Sequence, residues 1–204
     1  MSPSVCWFDT KLPLEMVDLI EREFKTPSLE QSELSQQGFV DTRVRDSYQE
    51  WVQSSTWYGG LIWYYINRAN RENFRYDITD IDQATFQYTE YHPGQHYSWH
   101  VDDSNDDHYR PETLTSSAHN AGGDFAYLGG EYVRKLSFSL QLSDPKDYRG
   151  GELQFYDNDK DTFFASKDRG SMIIFDSRVK HRVRKVKQGV RKTLVGWVVG
   201  PRWK

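Results

Sequence analysis

The sequence predicts a mainly β fold with N-terminal helices: short strands in a sandwich or double-sheet barrel, with the helices packed outside. Three observations carry this. Apolar residues recur at helical spacing only towards the N-terminus. From about Ile81 the period changes to two. Many short strands, separated by glycine pairs and polar turns, then run to the end of the chain.

The elements follow in order. Leu14 to Phe24 reads as an amphipathic helix. Met16, Leu19, Ile20 and Phe24 share a face, Glu15, Asp18, Glu21 and Glu23 can face water, and Pro13 suits the start. Residues 25–47 are polar, contain Pro27 and Gly38, and read as an irregular arm. A second helix is expected between about Glu50 and Asn70, with Trp57, Leu61, Tyr64 and Tyr65 on one face. Gly59–Gly60 counts against an unbroken helix, and the aromatics read as core packing.

Beyond Ile81, Ala84, Phe86 and Tyr88 alternate with Gln83, Thr85 and Gln87, the pattern of a half-buried strand. His92–Pro93–Gly94 signals a turn, and a short extended segment carries Tyr97, Trp99 and Val101. Residues 103–131 are rich in Asp, Asn, Ser and Gly. They are long for a passive connection and read as a lid or rim loop, with Gly122–Gly123 and Gly129–Gly130 as turns or hinges; a plain surface insertion is the alternative. Arg134 to Ser143 alternates cleanly: Leu136, Phe138, Leu140 and Leu142 on one face, Ser137, Ser139 and Gln141 on the other. Gly150–Gly151 precedes a strand with Leu153 and Phe155, residues Asp157–Asp161 form a polar turn, and strands are expected over Ser171–Phe175 and Val190–Val199.

Composition narrows the function classes. The 204 residues fit one domain, with no internal repeat and no independent second domain. Lys and Arg total 26 against 30 Asp and Glu, so the formal charge of −4 excludes a globally basic nucleic-acid coat but not a local basic site. A single cysteine, Cys6, excludes an internal disulfide and Cys-rich zinc or iron–sulfur sites. The opening residues have no basic start and no long apolar run, so no signal peptide or membrane span is expected, and the expected address is cytoplasmic.

The sharpest local feature is His100–Val101–Asp102. On a strand, positions i and i+2 point to the same face, so an imidazole and a carboxylate can converge on one ion. His181, after the apolar strand SMIIF and a short turn, is the best third ligand. Two histidines and one carboxylate with open positions form the facial site of non-haem iron(II) oxygenases. An isolated His-x-Asp is also common as a surface pair, and the spacing alone does not separate iron from zinc. His108 and His119 read as loop residues, His92 as a turn residue, and His96 is not recruited.

The surrounding order adds to this. Tyr91–His92–Pro93–Gly94–Gln95 leads through Tyr97 into His100–Val101–Asp102. Arg134, Gly150–Gly151–Glu152–Leu153, Gly170–Ser171–Met172–Ile173–Ile174–Phe175, His181, Arg191 and Trp197 follow. This set resembles the iron(II)- and 2-oxoglutarate-dependent dioxygenases, in their prolyl 4-hydroxylase-like branch, strongly over residues 81–204 and more loosely before them. The resemblance implies a double-stranded β-helix, a distorted jelly roll. It frames residues 1–204 as a single domain, with an N-terminal helical region at about 10–75 and a jelly-roll core at about 81–204. It implies iron ligation by His100, Asp102 and His181, with Tyr97 in the catalytic site. Arg191 would pair with the distal carboxylate of 2-oxoglutarate, for which a guanidinium fork is physically suited. Tyr91 would hydrogen-bond to the co-substrate, Gln141 or Ser139 would assist from the polar side of their strand, and Trp197 would wall the pocket or simply pack. Asp102 argues against the halogenating relatives, which lack that carboxylate.

The implied activity is hydroxylation of a prolyl or other amino-acid residue in a protein or peptide, with molecular oxygen consumed and succinate and carbon dioxide as co-products. The implied cofactors are Fe(II) and 2-oxoglutarate, with ascorbate a candidate reductant. Other readings stay open: an oxidative nucleic-acid demethylase, a hydroxylase of free amino acids, or a non-enzymatic jelly-roll binding protein. Residues 178–192 carry Arg178, Lys180, Arg182, Arg184, Lys185, Lys187, Arg191 and Lys192, either a solvated hairpin or an anion-binding patch. The nucleic-acid branch's second C-terminal arginine is not seen at its expected place. The oligomeric state is not legible.

Overall fold

The computed structural model describes residues 5–8, 13–25, 27–34, 40–102, 132–156 and 162–203. The loop over 103–131, with His108, His119 and both glycine pairs, and the turn at 157–161 lie outside the described residues. In chain order the elements are β1 (Val5–Phe8), α1 (Leu14–Glu23), β2 (Glu30–Gln31), β3 (Arg45–Asp46), β4 (Tyr48–Gln53), α2 (Gly59–Ala69), β5 (Asp80–Ile81), β6 (Thr85–Tyr91) and β7 (His96–His100). Beyond residue 131 come β8 (Tyr132–Gln141), β9 (Arg149–Gly150), β10 (Leu153–Tyr156), β11 (Thr162–Phe164), β12 (Met172–Asp176), β13 (His181–Val183), β14 (Val186–Gln188) and β15 (Arg191–Pro201).

The strands form two facing antiparallel sheets, a distorted jelly roll. The larger runs β1-β12-β8-β15-β6-β4-β2, with β5 also on β15. The smaller runs β11-β10-β13-β7-β3, and β14 pairs with β9 separately. The central strands β6, β8 and β12 of the larger sheet are buried on both faces. Outside, Phe86, Tyr88, Leu136, Phe138, Leu140, Met172, Ile174 and Leu194 pack against Val17 and Ile20 of α1, Phe24 just after it, and Ile62, Ile66 and Ala69 of α2. Inside, Ile173 and Phe175 meet Leu153, Phe155 and Val183 of the smaller sheet. A strand enclosed on both sides has no polar face to show, which explains the unbroken Met172–Phe175 run.

Double burial also changes the meaning of the polar alternation. Directly paired residues share a face. Thr193 lies opposite both Thr89 and Gln141, Val195 opposite Gln87 and Ser139, and Trp197 opposite Ser137. These positions line the interior, and Gln87, Thr89, Ser137, Ser139, Gln141 and Thr193 are all buried. The expected half-buried strand at Phe86–Tyr88 is thus fully enclosed, its polar side turned to the jelly-roll interior instead of water.

The N-terminal half departs from the sequence reading at three places. The first half of the helix expected over 50–70 is β4, because Tyr48–Gln53 pairs residue for residue with β6, and that pairing overrides local preference. Helix α2 therefore starts at Gly59, and Tyr58, Ile62, Ile66 and Ala69 form its buried face; Trp57 and Tyr64 stay half exposed. In α1, Val17 joins Ile20 and Phe24 inside while Leu19 faces out. Two short strands, β2 and β3, lie within the arm at 25–47. No helix among the described residues is long and apolar enough to cross a membrane.

Candidate iron and co-substrate site

His100 ends β7 and His181 opens β13, and the antiparallel register sets the two opposite each other. Asp102 follows two residues after the end of the strand, its backbone N–H fixed by the Ser177 carbonyl at 2.9 Å. The potential ligand atoms of His100, Asp102 and His181 all lie within 4.8 Å of one another. His100 Nε2 is 3.6 Å from Asp102 Oδ1, and His181 Nε2 is 3.5 Å from Asp102 Oδ2. His100 Nδ1 is 2.8 Å from the Ser98 carbonyl, and His181 Nδ1 is 2.9 Å from the Val179 carbonyl. A carbonyl only accepts, so both Nδ1 atoms carry the proton and both Nε2 lone pairs are turned to the centre.

The electrostatics suit a cation. His181 is packed against Phe175 and Phe155, at ring separations of 4.7 and 5.9 Å. Burial, reinforced by the neighbouring His100, pushes its pKa down to about 4. Burial of Asp102 favours its neutral form, but His181, His100 and a hydrogen bond from Ser137 outweigh this and hold the carboxyl well below the usual range. Asp102 is thus held as a carboxylate and His181 as a neutral imidazole, the forms that metal binding requires of these two. Two imidazole nitrogens and one carboxylate suit iron(II) as a facial set.

Tyr97 meets this cluster through its ring, which lies flat on His100 at 3.5 Å and 14°. Burial pushes its hydroxyl up to about 12, so it stays protonated. On the other side of Tyr97 the Arg45 guanidinium stands 4.9 Å from the ring centre, held by Gln87 Oε1 at 2.7 Å and by Ser47 and the Glu33 carbonyl. Sequence reading missed Arg45, which comes from the arm; a lone arginine there carries no pattern.

Arg191 lies deeper on the interior face, opposite Tyr91, and is 1% exposed. Its guanidinium carbon is 5.5 Å from the Tyr91 ring centre. No carboxylate among the described residues lies within 4.0 Å of it, and its Nε has no hydrogen-bond partner. Nearby polar atoms are orphaned too: Thr193 Oγ1 two residues along, Gln141 Oε1 opposite Thr193 and Ser171 Oγ, while the Tyr148 hydroxyl stands beside the guanidinium. A buried guanidinium with several unpaired hydroxyls costs folding energy unless an anion completes it. This donor set fits a carboxylate. Gly151, at φ +64°, keeps the neighbouring wall thin: a Cβ there would stand 3.0 Å from Arg191 Cδ. Lys192 points the other way, its Nζ 3.1 Å from Glu21 Oε1.

The remaining expected positions divide. Ser139 and Gln141 are buried on the interior face, as Tyr91 is. Trp197 is half-buried at the far end of that face, with the Arg134 guanidinium 4.1 Å above its ring. Arg134 is bound to Asp82 at 2.7 Å and reaches the Asp102 carbonyl at 3.5 Å. His92 bonds Glu90 at 2.9 Å and His96 the Arg43 carbonyl at 3.2 Å, and neither enters the cluster.

A jelly roll with this cluster and, at its core, a buried arginine that no described carboxylate pairs with defines an oxygenase-type site. The chain belongs to the 2OG-Fe(II) oxygenase superfamily, whose family model matches residues 86–199. That family uses iron(II) and 2-oxoglutarate. A PKHD-type hydroxylase of Rippkaea orientalis is 36% identical over 86 residues, 41% of this chain and 38% of that protein. Another, of Crocosphaera subtropica, is 30% identical over 116 residues, 56% of this chain and 42% of that protein. The chain thus spans less than half the length of these curated relatives. Among solved structures, a Pseudomonas putida prolyl-4-hydroxylase superposes with a TM-score of 0.69 at 17% identity, covering 98% of this chain and 94% of that one. A Trichoplax adhaerens prolyl hydroxylase in complex with a hypoxia inducible factor peptide fragment gives 0.68 at 17% identity, covering 96% and 83%. These two likenesses show the shared fold.

Proposed function

We propose that the chain is an iron(II)- and 2-oxoglutarate-dependent hydroxylase acting on a prolyl or other amino-acid residue of a protein or peptide. The observation that carries this is the joint presence, around one jelly-roll interior, of the His100–Asp102–His181 cluster on the smaller sheet and the buried Arg191, with no described carboxylate partner, on the larger. The relatives named as PKHD-type hydroxylases and the peptide-bound prolyl hydroxylase support the substrate class.

In this reading His100, Asp102 and His181 hold the iron, and Arg191 receives the distal carboxylate of 2-oxoglutarate. When bound, the pair supplies the oxidation: dioxygen is consumed, 2-oxoglutarate becomes succinate and carbon dioxide, and a substrate C–H becomes C–OH. The chain's own residues bind and orient. The Ser98 and Val179 carbonyls keep the imidazole protons on Nδ1 and aim Nε2 inward. Asp102 contributes negative charge without needing to lose a proton. Thr193 and Tyr148 can complete the carboxylate's hydrogen bonds beside the guanidinium, while Tyr91, Ser139 and Gln141 line the same chamber. Tyr97 stacks on His100 and fixes its ring plane. Trp197 and Arg134 flank the end nearest Asp102, where a substrate residue can approach.

Purified protein supplied with iron(II), 2-oxoglutarate and a mixed peptide pool should form succinate and add one oxygen atom to a peptide. Iron-loaded, folded protein that forms no succinate and modifies no peptide overturns the reading.

A further inference from the structure

The outer face of the smaller sheet carries a row of cations that the iron cluster does not use. His181 points inward, so Lys180 and Arg182 on either side point outward, and Arg184 continues the row. Alternate residues on an extended strand are spaced by about 6.6 Å. Each cation lies near an aromatic ring of the same sheet. Lys180 Nζ is 5.9 Å from the Tyr156 ring centre, Arg182 Cζ 4.5 Å from Trp99, and Arg184 Cζ 5.8 Å from Phe164. Trp99 and Tyr156 meet edge to face at 5.9 Å. Tyr156 and Phe164 are 39% and 49% exposed, so the face is open to solvent.

Carboxylates do not answer this row. Among the described residues the one acidic contact is Glu152 Oε2, 3.9 Å from Arg184 Nε. Arg182 donates Nε–H to Gln154 Oε1 at 2.8 Å, and with Trp99 behind it the guanidinium plane is fixed. Its two Nη groups bond to no described residue. In a chain of net charge −4, three neighbouring cations so weakly compensated are a local reversal of sign.

We propose that this face is a docking surface for an extended acidic peptide segment of a partner protein. Glutamates or aspartates at alternate positions of an extended segment present carboxylates at the spacing of Lys180, Arg182 and Arg184. The Arg182 fork suits one of them bidentately. The rings favour a peptide over a single-stranded nucleic acid. Unstacked bases need free aromatic faces, and the Arg182 guanidinium already stands 4.5 Å from the ring centre of Trp99 at the middle of the row. Trp99 adjoins His100 and Arg182 adjoins His181, so a docked segment lies one sheet thickness from the iron cluster. The proposal concerns binding alone and stands apart from the hydroxylase reading.

The test is fluorescence anisotropy with a labelled peptide of alternating Glu and Ser, against a Lys–Ser peptide and a single-stranded oligothymidylate of equal charge. The Glu–Ser peptide should bind best, and added salt should weaken it. Arg182→Gln should weaken it by roughly tenfold, Arg182→Lys by less, and Lys187→Gln, on the separate β14–β9 pair, by no more than about twofold. The double variant Lys180→Gln/Arg184→Gln, at exposed positions, should show the same loss with an unchanged melting temperature. Absence of Glu–Ser binding, tighter binding of the oligothymidylate, or an equal loss in Lys187→Gln would each overturn the proposal.

Discussion

His100 and His181 face each other across the β7–β13 pair with ring centres 4.2 Å apart, and each donates its Nδ1 proton to a carbonyl two residues earlier in its own chain. The repeated i to i−2 bond makes the two rings equivalent: both are locked in the tautomer that leaves Nε2 free. Removing either one should therefore cost metal affinity while the other ring stays aimed. His100→Ala and His181→Ala are each expected to weaken iron(II) or manganese(II) binding by about a hundredfold or more. Anaerobic metal titration, with circular dichroism to confirm the fold, checks this.

Asp102 differs in what its loss removes. Asp102→Ala takes away the one anion of the cluster, so some metal should remain on the two imidazoles while succinate formation falls to background. Metal content and succinate yield measured on the same preparation separate the two effects.

Arg191 should show opposite signs in two assays. Arg191→Met removes a buried cation that no described carboxylate pairs with, so the variant without co-substrate is expected to be as stable as the parent or more so. Its binding of 2-oxoglutarate to the manganese-substituted protein should weaken by about 2–5 kcal/mol. Lys192→Met should bind 2-oxoglutarate normally, because Lys192 turns to Glu21 on the opposite side. Calorimetry and thermal melts on the three proteins decide it.

A structural acid limb is expected from Asp176. Burial favours its neutral form, but hydrogen bonds from Arg178 Nε and Nη2 at 2.9 and 2.6 Å, and from the Tyr76 hydroxyl at 2.6 Å, win and lower its pKa from 3.8. A depressed carboxylate stabilises the fold above its unfolded value and loses that contribution as the pH falls through the folded one. Asp176→Asn should cost about 1 kcal/mol at neutral pH, below the usual range for bonds to charged groups because Arg178 is half exposed. The difference from the parent should shrink below pH 3.8. Denaturant unfolding across pH measures it.

The grouping of His100, Asp102 and His181 was legible in the sequence because a two-residue strand period and a fixed family order both point at these residues. The inward placement of Arg191 was legible for the same reason, and the structure adds why Lys192 turns away: β15 pairs regularly with β6 at that point. The mistaken helix over Glu50–Gln53 has a different origin. Those residues are strand because β6 offers them a partner, and a partner distant in sequence leaves no local mark. Ser137 and Gln87 were hidden by a related effect. Polar residues alternating with apolar ones ordinarily face water, and only the second sheet, folded over them, makes that face the interior. Arg45 reaches Tyr97 from the arm by tertiary packing alone.

The most direct test of the account follows oxygen and carbon together. Iron-loaded protein is given 2-oxoglutarate, a peptide pool and isotopically labelled dioxygen, and succinate and labelled peptide are quantified in parallel with His181→Ala and Arg191→Met. The account predicts succinate that requires both iron(II) and 2-oxoglutarate, one labelled oxygen atom in the modified peptide, loss of both products in His181→Ala, and recovery of Arg191→Met only at raised 2-oxoglutarate. Succinate and labelled peptide formed equally well by His181→Ala, or absent from folded, iron-loaded parent protein, would contradict it.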